Sequence, residues 1–210
     1  MKITAESLKD AFPSLWRIST RKGPCLLCGT PVEGATLCDT CVYQPTGDSS
    51  PSRPYQDTNP DDPRITTLIH NTTFTLLHLP KGHGIGIVGK RGTGKSRSLY
   101  HCLKPLKHDH INHVELGQLA TLAAQNNTEA RLRLHQLTQA KHLLIDDLGK
   151  ASNTDRASEE LYILLEKRTQ SLSPTHWTSE FPGTQLEPLL GHRGPAIIRR
   201  LREFSTIITP

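Results

Sequence analysis

A glycine-rich segment that ends in a lysine and a serine is the strongest chemical pattern in the sequence. Residues 89–96 read Gly-Lys-Arg-Gly-Thr-Gly-Lys-Ser, between the apolar run 85–88 and a predicted helix. In this context the glycines let successive backbone N–H groups face phosphate oxygens, and the helix adds its positive dipole end. We expect Lys95 to reach the β- and γ-phosphates of ATP and Ser96 to bind Mg²⁺. The predicted nucleotide-binding residues of this segment are Gly89, Lys90, Arg91, Gly92, Thr93, Gly94, Lys95, Ser96 and Arg97.

Two adjacent carboxylates follow a second apolar run. Residues 143–147 read Leu-Leu-Ile-Asp-Asp, downstream of the glycine-rich loop. We expect Asp146 to bind nucleotide-associated Mg²⁺, directly or through water, and Asp147 to orient or deprotonate the attacking water. A buried strand that ends at the surface is the alternative interpretation. The pair predicts an ATPase rather than a simple nucleotide kinase, in which the acceptor replaces water.

Four of the five cysteines form two closely spaced pairs near the N-terminus. Each pair encloses two residues, and four thiolates arranged in this way can bind Zn²⁺ tetrahedrally. The predicted zinc ligands are Cys25, Cys28, Cys38 and Cys41. We expect a structural zinc ribbon whose metal supplies its folding free energy, with four unpaired thiols as the alternative. The fifth cysteine, Cys102, is predicted to pack in the core with Leu99 and Leu103.

The composition divides the 210-residue chain into three zones. Residues 1–43 hold the cysteine pairs, residues 44–64 form a linker rich in Pro, Ser and Asp, and residues 65–210 hold most of the aliphatic residues. The formal charge of +5 is compatible with a nucleic-acid partner but does not by itself indicate one. No apolar run reaches the roughly 18–20 residues that span a bilayer, and no signal peptide is recognisable. We therefore expect a cytoplasmic protein without a membrane partner.

Short apolar runs alternate with helical patterns in the third zone. This alternation predicts an α/β domain with a parallel five-stranded sheet. The predicted strands are 84–88, 111–114, 143–146, 175–178 and 206–208. The predicted helices are 95–104, 116–124, 129–140, 155–169 and 195–203. Three histidines around the second strand, His108, His110 and His113, are interpreted as loop and edge residues rather than as a metal cluster.

Three segments of the chain resemble one family of ATPases. Residues 143–150 (LLIDDLGK), 158–180 and 197–201 are similar to DnaC/DnaI-type helicase loaders and to the related IstB-type transposition ATPases of the AAA+ superfamily. The resemblance covers roughly residues 80–205. It implies a P-loop AAA+ core, ATP hydrolysis and nucleotide-dependent assembly into a homo-oligomer. Because the chain stops at Pro210, the expected core has no C-terminal lid.

The resemblance also assigns roles to arginines and to the residue that senses the γ-phosphate. Arg200 corresponds best to the arginine finger that acts on a neighbouring subunit, with Arg199 as the second candidate. The alternative interpretation is a basic solvated helix face or contacts with DNA phosphates. Arg168 would face the neighbour's nucleotide or cap its own helix. The family has Asn at sensor 1, whereas this chain reads Thr178-Ser179-Glu180. We expect Thr178 or Ser179 to take that role, or hydrolysis to be slow, since the Glu180 carboxylate would repel a γ-phosphate.

Three functions remain open at this point. The first is an ATP-dependent loader that places a replicative helicase on single-stranded DNA. The second is a transposition helper that delivers a transposase to target DNA, and the third is a nucleotide-responsive zinc-ribbon scaffold with little turnover. By resemblance, the N-terminal module would dock on the helicase. The alternative is a DNA contact through basic residues, namely Arg17, Arg21, Lys22 and Arg53.

Overall fold

The structure, a computed structural model, describes residues 22–24, 31–33, 55, 58–106, 108–151 and 154–210. The chain divides into two units, Met1–Ser50 and Pro51–Pro210. In the first unit, strand β1 (Lys22–Pro24) pairs antiparallel with strand β2 (Pro31–Glu33). The four cysteines of the predicted zinc ribbon lie outside the described residues, so the ribbon stays a prediction.

A parallel five-stranded sheet forms the centre of the second unit. Its strands are β3 (Gly84–Val88), β4 (Asp109–Asn112), β5 (Leu143–Leu148), β6 (Thr175–Ser179) and β7 (Ser205–Ile208). They lie in the order β4-β5-β6-β3-β7, and every neighbouring pair is parallel. The inner strands β5, β6 and β3 are buried along almost their whole length, as expected for a parallel sheet covered on both faces. The α/β fold with five parallel strands is therefore confirmed.

Seven α-helices cover the sheet in the described part of this unit. They are α1 (Pro63–Leu77), α2 (Lys95–Leu103), α3 (His113–Ala124), α4 (Thr128–Gln139), α5 (Asp155–Gln170), α6 (Gly183–Leu189) and α7 (Gly194–Glu203). Side chains cap the N-termini of α1, α3, α4 and α5, by means of Asp62, Asn112, Asn127 and Thr154. Helix α2 differs, because its N-cap is Gly94 and no side chain accepts from its first N–H groups.

The start of helix α3 differs from the sequence prediction. The predicted strand 111–114 ends at Asn112 in the structure, and His113 and Val114 belong to the helix. The Asn112 side chain accepts from the Glu115 N–H, and the Glu115 side chain accepts from the Asn112 N–H. This reciprocal capping box begins the helix directly after the strand.

Helix α1 was not predicted, and it begins inside the predicted linker. Its sequence contains five Thr, a residue with low intrinsic helix propensity. The helix forms because Asp62 caps it, Pro63 occupies its first turn and its apolar residues are buried against the sheet. The buried apolar residues of α1 are Ile65, Leu68, Ile69 and Leu76.

The core lies on both faces of the sheet. One cluster joins α3–α7 to β5 and β6, and the other joins α1 and α2 to β3. Cys102 is buried in the second cluster with Leu99 and Leu103, as predicted. None of the helices in the described ranges is long and apolar enough to cross a membrane.

Candidate nucleotide-binding site

The loop between β3 and α2 has the backbone that its glycines allow. Gly92 and Gly94 have φ angles of 82° and 80°, in the left-handed region that glycine adopts most readily. At Gly94 a Cβ atom would lie 2.1 Å from the Ile65 Cγ2 atom, so the close packing of α1 also requires glycine there. The Lys95 ammonium is buried and donates to the Lys90 carbonyl at 2.8 Å. Since helix α2 lacks a side-chain cap, its first N–H groups can bind an anion.

Asp146, at the carboxyl end of β5, is surrounded by hydroxyl donors. The Ser96 hydroxyl donates to its Oδ1 atom at 2.6 Å, and the Thr178 hydroxyl donates to the same atom. The Tyr55 hydroxyl donates to Oδ2 at 3.1 Å, and His110 Nε2 lies 3.9 Å from Oδ2. Burial raises the pKa of Asp146, but His110, Ser96 and Thr178 outweigh that effect and lower the pKa to about 2. The carboxylate is therefore charged at any physiological pH.

Asp147 points away from Asp146, toward a lysine. Its φ angle is 59°, a left-handed conformation that Asp tolerates better than most residues, and its N–H donates to Thr178 Oγ1 at 3.0 Å. Lys150 Nζ lies 2.9 Å from Asp147 Oδ2 and 3.0 Å from Glu180 Oε1. Burial lowers the pKa of Lys150, but the hydrogen bonds and charges of these two carboxylates outweigh it and raise the pKa. Lys150 is thus a cation shared by two carboxylates.

Most of these groups line one cavity of about 390 Å³, among them Lys95, Ser96, Asp147, Lys150 and Glu180. Asp146 adjoins the cavity through its hydrogen bond with Ser96. The donors suit a magnesium–nucleotide complex, because Ser96 and Asp146 provide the hard oxygen ligands that Mg²⁺ prefers. The lysine and the helix N-terminus provide positive potential for phosphates.

Comparisons with known proteins agree with this geometry at the level of the fold. No protein-family model and no curated protein matches the sequence. A crystal structure of DnaI is 21% identical, with 73% of this chain and 88% of that chain covered and a TM-score of 0.59. The DnaC helicase loader is 16% identical, with 74% and 94% covered and a TM-score of 0.57. The replication initiator DnaA, bound to AMPPCP and single-stranded DNA, is 15% identical, with 70% and 44% covered and a TM-score of 0.51.

The chain has the AAA+ P-loop fold. In this fold the predicted phosphate-binding loop, Asp146, Asp147 and Thr178 meet at the carboxyl edge of the sheet, where parallel α/β proteins bind ligands. Of the two candidates for sensor 1, Thr178 contacts Asp146, whereas Ser179 donates to the Leu148 carbonyl at 2.8 Å and lies apart from the carboxylates. Arg91 and Arg97 line the AAA+ cavity as well.

Arg200 lies away from this cavity. It stands on α7 beside the starts of β6 and β7, and its Nε atom donates to Glu166 Oε2 at 2.7 Å. Arg199, the alternative finger, is exposed and has no ion-pair partner within the described ranges. The structure therefore places neither arginine against the nucleotide site of its own chain, and the choice between them depends on a neighbouring subunit.

The prediction that Arg168 faces a neighbour's nucleotide is wrong. Its side chain is fully buried at the amino end of the sheet. The guanidinium donates to the carbonyls of Leu137, Ala140 and Pro174 and to the Thr175 hydroxyl, at 2.6–2.8 Å. Arg168 therefore caps the last turn of helix α4 and cannot reach a partner.

Sequence reasoning missed three residues of the site. Tyr55 was assigned to the linker, His110 to a strand edge, and Lys150 received no role. Only Lys150 carried a local signal, since an acidic and a basic residue three positions apart can pair across a turn. Tyr55 and Asp146 are 91 residues apart in the chain, so no local pattern could have joined them.

Proposed function

We propose that the protein is an ATP-dependent loader of a replicative DNA helicase onto single-stranded DNA during replication initiation. The observation that carries the proposal is the meeting of Lys95, Ser96 and Asp147 in one cavity of an AAA+ P-loop fold, with Asp146 bonded to Ser96. Similarity to the folds of DnaI and of the DnaC helicase loader supports the choice of helicase loading among the activities of AAA+ proteins. The DnaA structure with AMPPCP and single-stranded DNA supports both ligands.

The residues of the cavity would divide the chemistry among them. Lys95 would leave the Lys90 carbonyl and bind the β- and γ-phosphates, and Ser96 and Asp146 would hold Mg²⁺. The bound Mg²⁺ would neutralise charge that develops on the phosphates. Asp147 would orient the attacking water. Thr178, which contacts both Asp146 and Asp147, would hold the two residues in their positions relative to each other.

Assembly would complete the site. Arg200 is the proposed finger for a neighbouring subunit's γ-phosphate, and its pair with Glu166 does not prevent that role. The Glu166 side chain is part-exposed, and such pairs contribute little stability, so Arg200 can be released. Arg199 remains the alternative. Arg200→Ala should leave ATP binding by the monomer intact and remove the hydrolysis that depends on assembly, whereas Arg199→Ala should leave both intact. The opposite result would exchange their roles.

The N-terminal unit is proposed to be a zinc ribbon that docks on the helicase. Its first cysteine pair falls in the connection, residues 25–30, between the paired strands β1 and β2, where a CxxC knuckle would bring two thiolates together. Metal analysis of the purified full-length chain should find one Zn²⁺ per molecule. A metal-free, folded chain would remove the ribbon from the proposal.

Helicase loading tests the function directly. The full-length protein would be mixed with a purified hexameric replicative helicase and single-stranded DNA, and DNA-bound helicase would be measured with and without ATP. We expect the wild type to load the helicase in the presence of ATP. Lys95→Ala should not load it, because phosphate binding is lost. Asp147→Asn should bind nucleotide without hydrolysing it. Loading that is unchanged by Lys95→Ala would contradict the proposal. In a separate pull-down with the full-length protein as bait, recovery of a transposase instead of the helicase would favour a transposition helper.

The contact between Lys150 and Asp147 supports a second candidate. In the described structure the carboxylate that would orient water is held by an ammonium at 2.9 Å. A nucleotide-responsive scaffold with little turnover would have such a site. ATP hydrolysis by the assembled wild type that is no faster than hydrolysis by Asp147→Asn would favour this scaffold over a loader that cycles.

A further inference from the structure

We propose that Lys150 binds the γ-phosphate of ATP in place of the family's sensor 1 asparagine, and that Glu180 positions Lys150 for this contact. The inference rests on the proposed ATP binding and adds a residue to it. It also assigns a role to Glu180, whose carboxylate at this position would otherwise repel the phosphate.

Two residues with positive φ angles turn the backbone and bring Lys150 to the site. Asp147 and Gly149 both have positive φ angles, 59° and 95°, and the Lys150 N–H donates to the Asp147 carbonyl at 3.1 Å. The chain therefore turns back on itself directly after β5. Leu148 pairs with Ser179 of β6, so Glu180, the next residue, lies beside this turn. The fold thus fixes the three charged side chains at the carboxyl edge of the sheet.

One N–H donor of the Lys150 ammonium has no partner among the described residues. An ammonium group carries three N–H donors. Two of them serve Asp147 Oδ2 at 2.9 Å and Glu180 Oε1 at 3.0 Å. The side chain is 33% exposed and lines the same cavity as Lys95, so its third donor can meet a phosphate oxygen. No rearrangement of either carboxylate is needed for that contact.

The charges around the cavity also call for a second cation. Burial lowers the pKa of Lys95, and the Lys150 charge adds to that effect. The charges of Glu180, Asp147 and Asp146 act in the opposite direction but do not outweigh burial. Arg64, Arg91 and Arg97 also line the cavity, but among the described residues Lys150 is the cation that pairs with Glu180. With Lys150 in place, the Glu180 charge is neutralised by an ion pair, and a cation instead of an amide faces the γ-phosphate position.

A comparison of AMPPCP with ADP isolates the γ-phosphate. Full-length Lys150→Met keeps the length of the side chain and removes its charge, and the matched control is Lys141→Met at an exposed lysine outside the cavity. Both nucleotides would be titrated with Mg²⁺ by calorimetry. We expect Lys150→Met to weaken AMPPCP binding about tenfold or more, the size of a lost charge-assisted hydrogen bond, and ADP binding by less than about twofold. The control should change neither affinity.

The double variant Lys150→Met with Glu180→Gln separates contact from neutralisation. If Lys150 touches the γ-phosphate, AMPPCP binding stays weak when the Glu180 charge is also removed. Recovery of the wild-type ratio of AMPPCP to ADP affinity in the double variant would show that Lys150 only neutralises Glu180. If the single variant weakens the binding of both nucleotides equally, Lys150 only stabilises the conformation of the loop. Either result overturns the inference and leaves ATP binding standing. Absence of AMPPCP binding by the wild type would instead refute the proposed function.

Discussion

Both ends of the parallel sheet bury ionisable side chains, but the hydrogen-bond partners of these side chains differ between the two ends. At the amino ends of the strands, Arg168 is fully buried and most of its hydrogen bonds go to backbone carbonyls. Next to it, His176 Nδ1 accepts from the Ile85 N–H at 3.2 Å, so its Nε2 atom carries the proton and donates to His142 Nδ1 at 3.2 Å. Backbone groups fix both arrangements.

At the carboxyl ends, the partners are side chains that can rotate. Asp146 is held by the hydroxyls of Ser96, Thr178 and Tyr55, and Asp147 is held by the Lys150 ammonium. A ligand can replace such contacts by changing a side-chain rotamer, whereas the buried carbonyls around Arg168 would be left without a donor if the guanidinium moved away. We infer that the amino end contributes to the stability of the fold and that the carboxyl end is free for ligand chemistry.

Removing the buried guanidinium should have the largest effect on stability. Arg168→Met leaves the buried carbonyls of Leu137 and Ala140 without the Arg168 donor, whereas the Pro174 carbonyl still accepts from the Leu143 N–H. We expect the free energy of unfolding to fall by at least about 3 kcal/mol, measured by urea denaturation. The matched control is Arg200→Met, which breaks the part-exposed pair with Glu166 and should cost less than about 1 kcal/mol. Arg200 also lies beside the amino ends of the strands, so equal losses in the two variants would show that the buried carbonyl contacts of Arg168 are not what stabilises this end.

The sequence predicted the parts of the site whose chemistry is local. The glycine-rich loop and the two aspartates each depend on neighbours in the chain, and in the structure both segments lie at the carboxyl edge of the sheet, while their roles stay predictions. Arg168 was misassigned because its position at the end of a helix does not reveal that the last turn of α4 packs against it. The contact of Tyr55 with Asp146 depends on the packing of distant segments, which no periodicity encodes.

Acid should weaken both ends of the sheet through their buried histidines. At the carboxyl end, burial lowers the pKa of His113, which accepts from the Gly149 and Ala151 N–H groups, from 6.5 to about 4. At the amino end, two histidines behave in the same way. Burial lowers the pKa of His142 from 6.5 to about 4 and that of His176 well below 6.5. Since the unfolded chain binds these protons first, the stabilisation is complete above about pH 6.5 and is lost as the pH falls toward 4. Each histidine should reduce the free energy of unfolding by about 1–2 kcal/mol at pH 5.

The two ends can be followed together across this pH range. Urea denaturation between pH 7 and pH 4.5 reports on the histidines, while calorimetry with AMPPCP reports on the cavity. Asp146, with a pKa of about 2, keeps its charge throughout, so nucleotide binding by the folded protein should persist while stability declines. His142→Gln keeps an acceptor for His176 and should flatten the profile. A stability that is constant from pH 7 to pH 5 would show that the histidines bind protons without loss of the fold.

The smallest expected effect comes from a single hydroxyl at the carboxyl end. Tyr55 donates to Asp146 Oδ2 at 3.1 Å, and burial, followed by the Asp146 charge, raises the tyrosine pKa to about 12, so the hydroxyl keeps its proton. Mg²⁺ and Tyr55 would therefore compete for the same carboxylate. Tyr55→Phe should lower the Mg²⁺ concentration at which AMPPCP binding is half-maximal by about twofold to tenfold, the range of one net hydrogen bond.

Tyr100→Phe is the matched control for this competition. The two rings lie 6.1 Å apart, yet within the described residues the Tyr100 hydroxyl makes no hydrogen bond to Asp146. Its removal should leave the Mg²⁺ requirement unchanged, and neither variant should alter AMPPCP binding without Mg²⁺. If Tyr55→Phe instead requires more Mg²⁺, the hydroxyl orients Asp146 for the metal rather than competing with it. The carboxyl end would then hold one contact as permanent as those of Arg168, and the distinction between the two ends would apply to Lys150 and Ser96 alone.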